Sequence, residues 1–74
     1  MHYAVIIEKG DTSYGAYVPD LPGCIAVGKT REEVETLIRE AIEFHLEGMA
    51  EDGDPIPEPT CIAINVGVNV PVRV

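Results

Sequence analysis

The sequence predicts an α+β fold, a two-layer sandwich in which one helix packs on a small sheet in the order β-β-β-α-β. Three patterns indicate this fold: short apolar segments separated by turn residues, a long amphipathic segment in the middle, and strict apolar alternation near the end. A single helix covers only one face of a sheet. The opposite face, which includes Ile6 and Tyr17, is therefore expected to remain exposed and to seek a partner.

The first three strands are predicted from segments rich in β-branched and aromatic residues and bounded by turns. They are expected at about residues 2–8, 13–18 and 24–27, and the short loops between them indicate an antiparallel meander. Pro22 and Gly23 suit the central positions of a type II turn before the third strand. Proline presets φ at the first of these positions, and glycine accepts the positive φ at the second.

The helix is predicted at about residues 31–51. Thr30 and Glu33 have the spacing of a capping box, in which the threonine side chain accepts a hydrogen bond from the backbone amide three residues later. Apolar residues then recur at spacings of three and four, which places them on one face. That face comprises Val34, Leu37, Ile38, Ala41, Ile42, His45 and Met49. Gly53 suits the left-handed conformation that ends a helix.

A Pro-rich connector at residues 54–59 leads to a long fourth strand predicted at about residues 61–73. Every even position from Ile62 to Val74 is apolar, which is typical of a strand with one buried face. This strand is longer than the earlier strands with which it would pair. We therefore expect its second half to cross to a neighbouring copy in a dimer or tetramer, through an interface formed by Val66, Val68, Val70 and Val72.

Composition describes one acidic domain: the chain has 74 residues, of which 13 are acidic and 5 basic, and its net charge is −8. This charge disfavours binding to nucleic-acid phosphates or anionic lipid. It suits a basic partner, or solubility alone. The N-terminus lacks a signal-peptide pattern, and no apolar run approaches the roughly 20 residues that span a bilayer, so a cytoplasmic location is expected.

No sequence motif indicates catalysis, and we predict no catalytic residue, metal ligand or cofactor. Cys24 and Cys61 are too few for a disulfide framework or a zinc site, and both are expected to be small buried hydrophobic residues. His45 is expected to be a half-buried structural residue. The nearest approach to a metal site is a convergence of Asp20 with carboxylates of the helix, but the helix acids point to solvent rather than toward the sheet.

The segment Tyr14–Cys24, which contains PDLPGC after an aromatic strand, begins a series of motifs typical of one family. The motif GKTREE at residues 28–33 follows, then the amphipathic helix and the PIPEP exit at residues 55–59. This order and spacing, over about residues 3–60, resembles the HicB-like antitoxin family. Several motifs in register are far more specific than any one of them alone.

The resemblance implies a partial ribonuclease-H-like fold and a role as the antitoxin of a type II toxin–antitoxin system. It further implies that the partner is a small basic HicA-like mRNA interferase, whose RNA-binding and active surface the antitoxin covers. Family members commonly carry a C-terminal ribbon-helix-helix or helix-turn-helix domain for operator DNA. This sequence shows neither, so we expect a short stand-alone member that does not bind DNA directly.

Two alternatives remain open at this point: an orphan oligomeric domain that binds another protein or a small ligand, and a metal-dependent nuclease centred on Asp20. For the antitoxin interpretation, the predicted partner-binding residues are Asp20, Leu21, Glu35, Glu40, Glu43 and Glu47. The alternative for the glutamates is a solvated helix face, and the alternative for Asp20 and Leu21 is turn architecture.

Overall fold

A computed structural model describes residues 1–71 of the chain. It contains three strands followed by one long helix, which confirms the predicted α+β order up to the end of the helix. The elements are β1 (Ile6–Lys9), β2 (Tyr14–Tyr17), β3 (Ile25–Gly28) and α1 (Arg31–Asp52). Within residues 1–71, no helix has the length and apolar content needed to cross a membrane.

The strands form an antiparallel sheet in the order β1-β2-β3. Ile6 lies opposite Tyr17, which lies opposite Ile25, so these three residues form one row across the sheet. Strand β1 begins four residues later than the expected start at residue 2. Its length follows from its partner, because β2 offers only four residues for pairing.

Helix α1 begins and ends at the residues that the sequence indicates. The backbone N–H of Glu33 donates to Thr30 Oγ1 at 3.0 Å, as an N-cap requires. Gly53 adopts a left-handed φ of 73°, and its N–H donates to the Ala50 carbonyl. This geometry satisfies carbonyl groups that would otherwise lack a partner at the end of the helix.

The core lies between α1 and one face of the sheet. Its buried residues are Ala16, Val18, Leu21, Cys24, Val34 and Ile38. The helix packs chiefly on β3 and β2. Gly28, the last residue of β3, permits a close approach, since a Cβ atom there would lie only 2.9 Å from the backbone nitrogen of Val34. Because the helix is drawn toward β3, the side of the sheet at β1 is less covered.

The connector after the helix is fixed to the start of the chain, since the Tyr3 hydroxyl donates a hydrogen bond to the Pro57 carbonyl. Residues 61–71, here called the arm, then extend away from the domain. The radius of gyration is 15.5 Å, against about 11 Å for a compact domain of this length. The longest dimension is 59 Å.

Residues 61–71 do not form the predicted fourth strand within the single chain, and this expectation is corrected for the arm. No strand is assigned at residues 61–71, and every residue of the arm is exposed. A strand needs a neighbour for its backbone N–H and C=O groups, and the arm has none in the described part of this chain. The remainder of the predicted strand, including Val72, lies outside the described residues.

Candidate partner-binding surfaces

The second half of α1 presents an acidic face formed by Glu40, Glu43 and Glu47. All three residues are exposed, and their spacings of three and four place them on one side of the helix. The last turn contains no basic residue. Because the C-terminal end of a helix carries partial negative charge, the carboxylates and the backbone reinforce one another. This half of the helix is therefore a source of negative potential that attracts a basic surface.

Glu35 does not share this arrangement. Its carboxylate accepts a hydrogen bond from Arg31 Nε at 3.1 Å. The two residues form an exposed ion pair and lie about one helical turn apart. Glu35 also lines a groove beside β1, together with Glu43. The predicted set of helix glutamates therefore separates into an acidic face of three carboxylates, which have no ion-pair partner among residues 1–71, and one residue already engaged with a cation.

Phe44 is a second feature of the same helix half, and the sequence interpretation missed it. Its side chain is 78% exposed. It lies four residues after Glu40 and three before Glu47, so carboxylates flank an aromatic ring. An exposed aromatic ring surrounded by charge is typical of the residues that anchor protein interfaces. The signal was available, since Phe44 is a large apolar residue of the helix outside the predicted stripe.

Asp20 contacts the start of the arm. Its carboxylate accepts hydrogen bonds from the backbone N–H of Thr60 at 3.0 Å, from the backbone N–H of Cys61 at 3.1 Å, and from the Thr60 hydroxyl. The Thr60 hydroxyl bond, followed by the two backbone bonds, lowers the pKa of Asp20 below its usual 3.8, because each bond favours the ionised form. Asp20 and Thr60 together form what we call the arm clamp.

Leu21 has a packing role. It is 1% exposed and belongs to the core, and its backbone groups close the turn through hydrogen bonds with Val18 and Cys24. A partner cannot contact this side chain while the turn is folded. We therefore withdraw Leu21 from the predicted partner-binding set, and we assign Asp20 to the arm clamp.

The sheet face opposite the helix is uncovered, as predicted. Ile25 and Val27 are 66% and 65% exposed, and Tyr17 is also exposed. Between the rows of side chains lies Gly15, where an added Cβ atom would meet nothing within 4 Å. The face is therefore a shallow apolar surface with a hollow at its centre, of the kind that monomeric proteins rarely leave exposed.

A groove of about 630 Å³ lies between the free edge of β1 and helix α1. We call it the edge groove. Apolar side chains form its floor, and charged side chains of both signs form its rim. The floor includes Val5, Ile7, Ile38 and Ile42, and the rim includes Arg31, Glu35, Arg39 and Glu43.

The two cysteines differ in environment. Cys24 is buried, as predicted, and this burial raises the pKa of its thiol. Cys61 is exposed on the arm, so the expectation of burial is wrong for this residue. Among residues 1–71 no group of three or more His, Cys, Asp or Glu side chains has the geometry to hold a metal ion.

A family model described as the HicB_like antitoxin of bacterial toxin–antitoxin systems matches residues 3–69. The chain belongs to the HicB-like antitoxin family. The resemblance inferred from the PDLPGC and GKTREE motifs is thereby confirmed.

Curated relatives of this antitoxin span phages, bacteria and archaea. An uncharacterized 14.9 kDa protein of Haemophilus phage HP1 is 45% identical over 58 residues, which cover 78% of this chain and 44% of the phage protein. A UPF0150 protein of Thermoplasma acidophilum is 39% identical over 67 residues, which cover 89% of this chain and 97% of the relative. Antitoxin HicB 2 of Photorhabdus laumondii is 32% identical over 60 residues, which cover 81% of this chain and 43% of the relative. The chain thus spans less than half the length of the phage protein and of Antitoxin HicB 2.

The fold is that of the HicB-like family as well. A chain of the solved HicA3 and HicB3 toxin–antitoxin complex is 30% identical to this antitoxin and superimposes with a TM-score of 0.68. The match covers 80% of this chain and 70% of the other. The observed meander and helix therefore correspond to a known architecture.

Proposed function

We propose that this antitoxin binds a small basic HicA-like toxin and neutralises it by covering the surface with which the toxin binds RNA. The observation that carries the proposal is the structural match to a chain of a toxin–antitoxin complex. On this proposal the chain acts by surface complementarity, and no bond-making step is assigned to its residues.

Charge provides the physical basis for recognition. A ribonuclease must present Lys and Arg side chains to the phosphates of its RNA substrate. The exposed Glu40, Glu43 and Glu47 carboxylates offer the same cations an alternative anionic partner. Because opposite potentials steer diffusing proteins toward each other, the acidic face would raise the association rate more than it slows dissociation.

Phe44 provides the apolar component that charge alone lacks. Charges at the rim of an interface contribute little net affinity, whereas a desolvated aromatic side chain near the centre contributes much of it. On this proposal Phe44 enters a pocket on the toxin, and the three carboxylates surround the contact. The association rate then depends on the glutamates, and the dissociation rate depends on Phe44.

The experiment is a kinetic binding measurement against a purified HicA-like toxin. The triple variant Glu40→Lys, Glu43→Lys and Glu47→Lys changes the net charge from −8 to −2. We expect its association to be about tenfold slower at low ionic strength, with the difference shrinking as salt screens the charges. The matched control reverses three exposed acids elsewhere in the chain, Glu8, Asp11 and Glu58, and has the same net charge.

Equal slowing in both triple variants would mean that net charge, and not the acidic face, governs the encounter. The variant Phe44→Ala is expected to raise the dissociation rate by about 30-fold, the equivalent of about 2 kcal/mol. The thermal stability should change little, because the side chain is exposed. Tyr17→Ala, on the uncovered sheet face, serves as the aromatic control. If Tyr17→Ala weakened binding and Phe44→Ala did not, the toxin would bind the sheet face instead.

One alternative has structural support. The exposed apolar arm and uncovered sheet face favour self-association, which is compatible with toxin binding through the helix. The nuclease alternative required Asp20 to hold a metal ion, but its carboxylate is engaged by Thr60 and Cys61. We therefore do not pursue a nuclease function.

A further inference from the structure

The arm has the side-chain pattern of a β-strand, but it pairs with no sheet in the described part of the chain. The side chains at its even positions are between 68% and 87% exposed, an unusual state for branched apolar residues. They are Ile62, Ile64, Val66, Val68 and Val70. The odd positions carry small or polar residues, among them Asn65 and Asn69. This alternation is that of a strand with one face in a core and the other in solvent.

The edge groove lacks a strand along its open side. Strand β1 forms the edge of the sheet, so the backbone groups on its outer side have no strand partner in the described part of the chain. Beside that edge, Val5 and Ile7 of the first strand region and Ile42 of the helix are only partly buried. The groove is open because the helix packs toward β3, where Gly28 allows close contact.

We propose that the arm of a second copy of this chain adds to the free edge of β1 as a fourth strand and buries its even-numbered side chains in the edge groove. Reciprocal addition of both arms produces a closed dimer with twofold symmetry. Backbone hydrogen bonds would hold the strand, and its alternating side chains would fix which face turns inward. This inference goes beyond toxin binding, because it requires no toxin.

Two observations favour a second copy as the occupant. The arm clamp holds Thr60 and Cys61 against Asp20, and the residues beyond it are exposed and do not line the groove of their own chain. The arm also carries no charged residue from 61 to 71, although the whole chain has a net charge of −8. An uncharged segment joins two acidic copies without placing like charges opposite each other.

The first test measures the mass of the full-length protein by analytical ultracentrifugation at micromolar concentration. We expect the unmodified chain to sediment at twice its 8.0 kDa mass. The variant Val66→Asp with Val68→Asp should sediment as a monomer, with self-association weakened at least about 100-fold. The matched control, Asn65→Asp with Asn69→Asp, adds the same two charges to the outward positions and should remain a dimer.

Circular dichroism should show the same helix content in all three proteins, because every substituted residue is exposed and lies outside α1. A monomeric unmodified chain would overturn the proposal. So would a dimer that persists in the Val66→Asp and Val68→Asp variant, since the interface would then lie elsewhere.

The second test locates the arm. A nitroxide is attached at Gly67→Cys in a Cys61→Ala background, in which the remaining Cys24 is buried. This nitroxide-bearing copy, which carries no isotope label, is mixed with an isotope-labelled copy that carries no nitroxide. Broadening of the amide signals of Val5, Ile7 and Ile42 in the labelled copy is expected. Broadening at Ile25 and Val27 instead would place the arm on the uncovered sheet face and would contradict the proposal. The absence of any broadening in the isotope-labelled copy would also contradict it, because the arm would then not reach a second copy.

Discussion

Replacement of Gly28 by alanine tests the packing that positions the helix. An added Cβ atom would lie 2.9 Å from the backbone nitrogen of Val34 and 3.2 Å from its Cα atom. Non-bonded carbon atoms prefer separations of about 3.5–4.0 Å. The obstructing atoms belong to the backbone of the first helical turn, so no side-chain rotation relieves the clash. The start of α1 must therefore move away from β3 by several tenths of an ångström.

The expected cost is about 1–3 kcal/mol, the range measured when well-packed cores receive an extra methyl group. Gly15→Ala is the matched control, because it makes the same chemical change in a strand where the new atom meets nothing within 4 Å. The two variants share the same gain from a stiffer unfolded chain, about 0.4–1 kcal/mol. The difference between their free energies of unfolding therefore measures the cost of the steric clash at Gly28.

The assay is urea unfolding followed by circular dichroism, with the free energies of unfolding compared between the two variants. We expect Gly28→Ala to be less stable than Gly15→Ala by about 2 kcal/mol, which corresponds to a melting temperature lower by about 10 °C in a domain of this size. Equal stabilities would refute the argument that Gly28 holds the helix against β3. The open edge groove at β1 would then need another explanation.

Two other predictions follow from the turn between β2 and β3. The pKa of Asp20 is lowered in the folded protein, so its contribution to the arm clamp is complete above about pH 3.8 and is lost as the pH falls through the lower folded value. The amide signals of Thr60 and Cys61 should shift in this acidic range, and Asp20→Asn should abolish that titration; an unchanged titration in the variant would show that another group is responsible. Leu21→Ala should destabilise the fold by about 2–5 kcal/mol in urea unfolding, whereas Ile25→Ala at an exposed position should cost far less, and equal losses would contradict the core assignment of Leu21.

The helix and turns could be predicted from the sequence because their determinants are local. The N-cap Thr30, the left-handed Gly53 and the turn glycine Gly23, with φ of 84°, each act within a few residues of their position. The alternation around Tyr17 also indicated which sheet face would remain uncovered, because side chains of a strand point to opposite faces in turn.

The features that could not be predicted depend on residues distant in sequence. The arm clamp joins Asp20 to Thr60 across forty positions, and nothing near Asp20 indicates that contact. The fourth strand failed as a prediction within one chain because alternation reports a preference for a half-buried face without specifying which chain supplies the sheet. Cys61 was misassigned because the tendency of cysteine to be buried does not indicate whether the segment that carries it packs on a core. Among the predicted partner-binding residues, only burial in three dimensions distinguished Leu21 from the exposed glutamates.

The most direct test of the central claim is to titrate this antitoxin against a purified HicA-like toxin and follow cleavage of a labelled RNA. We predict that cleavage stops when the two proteins reach a fixed stoichiometric ratio. The Glu40, Glu43 and Glu47 charge-reversal variant should require a higher concentration at low ionic strength. Undiminished RNA cleavage in the presence of excess antitoxin would contradict the account.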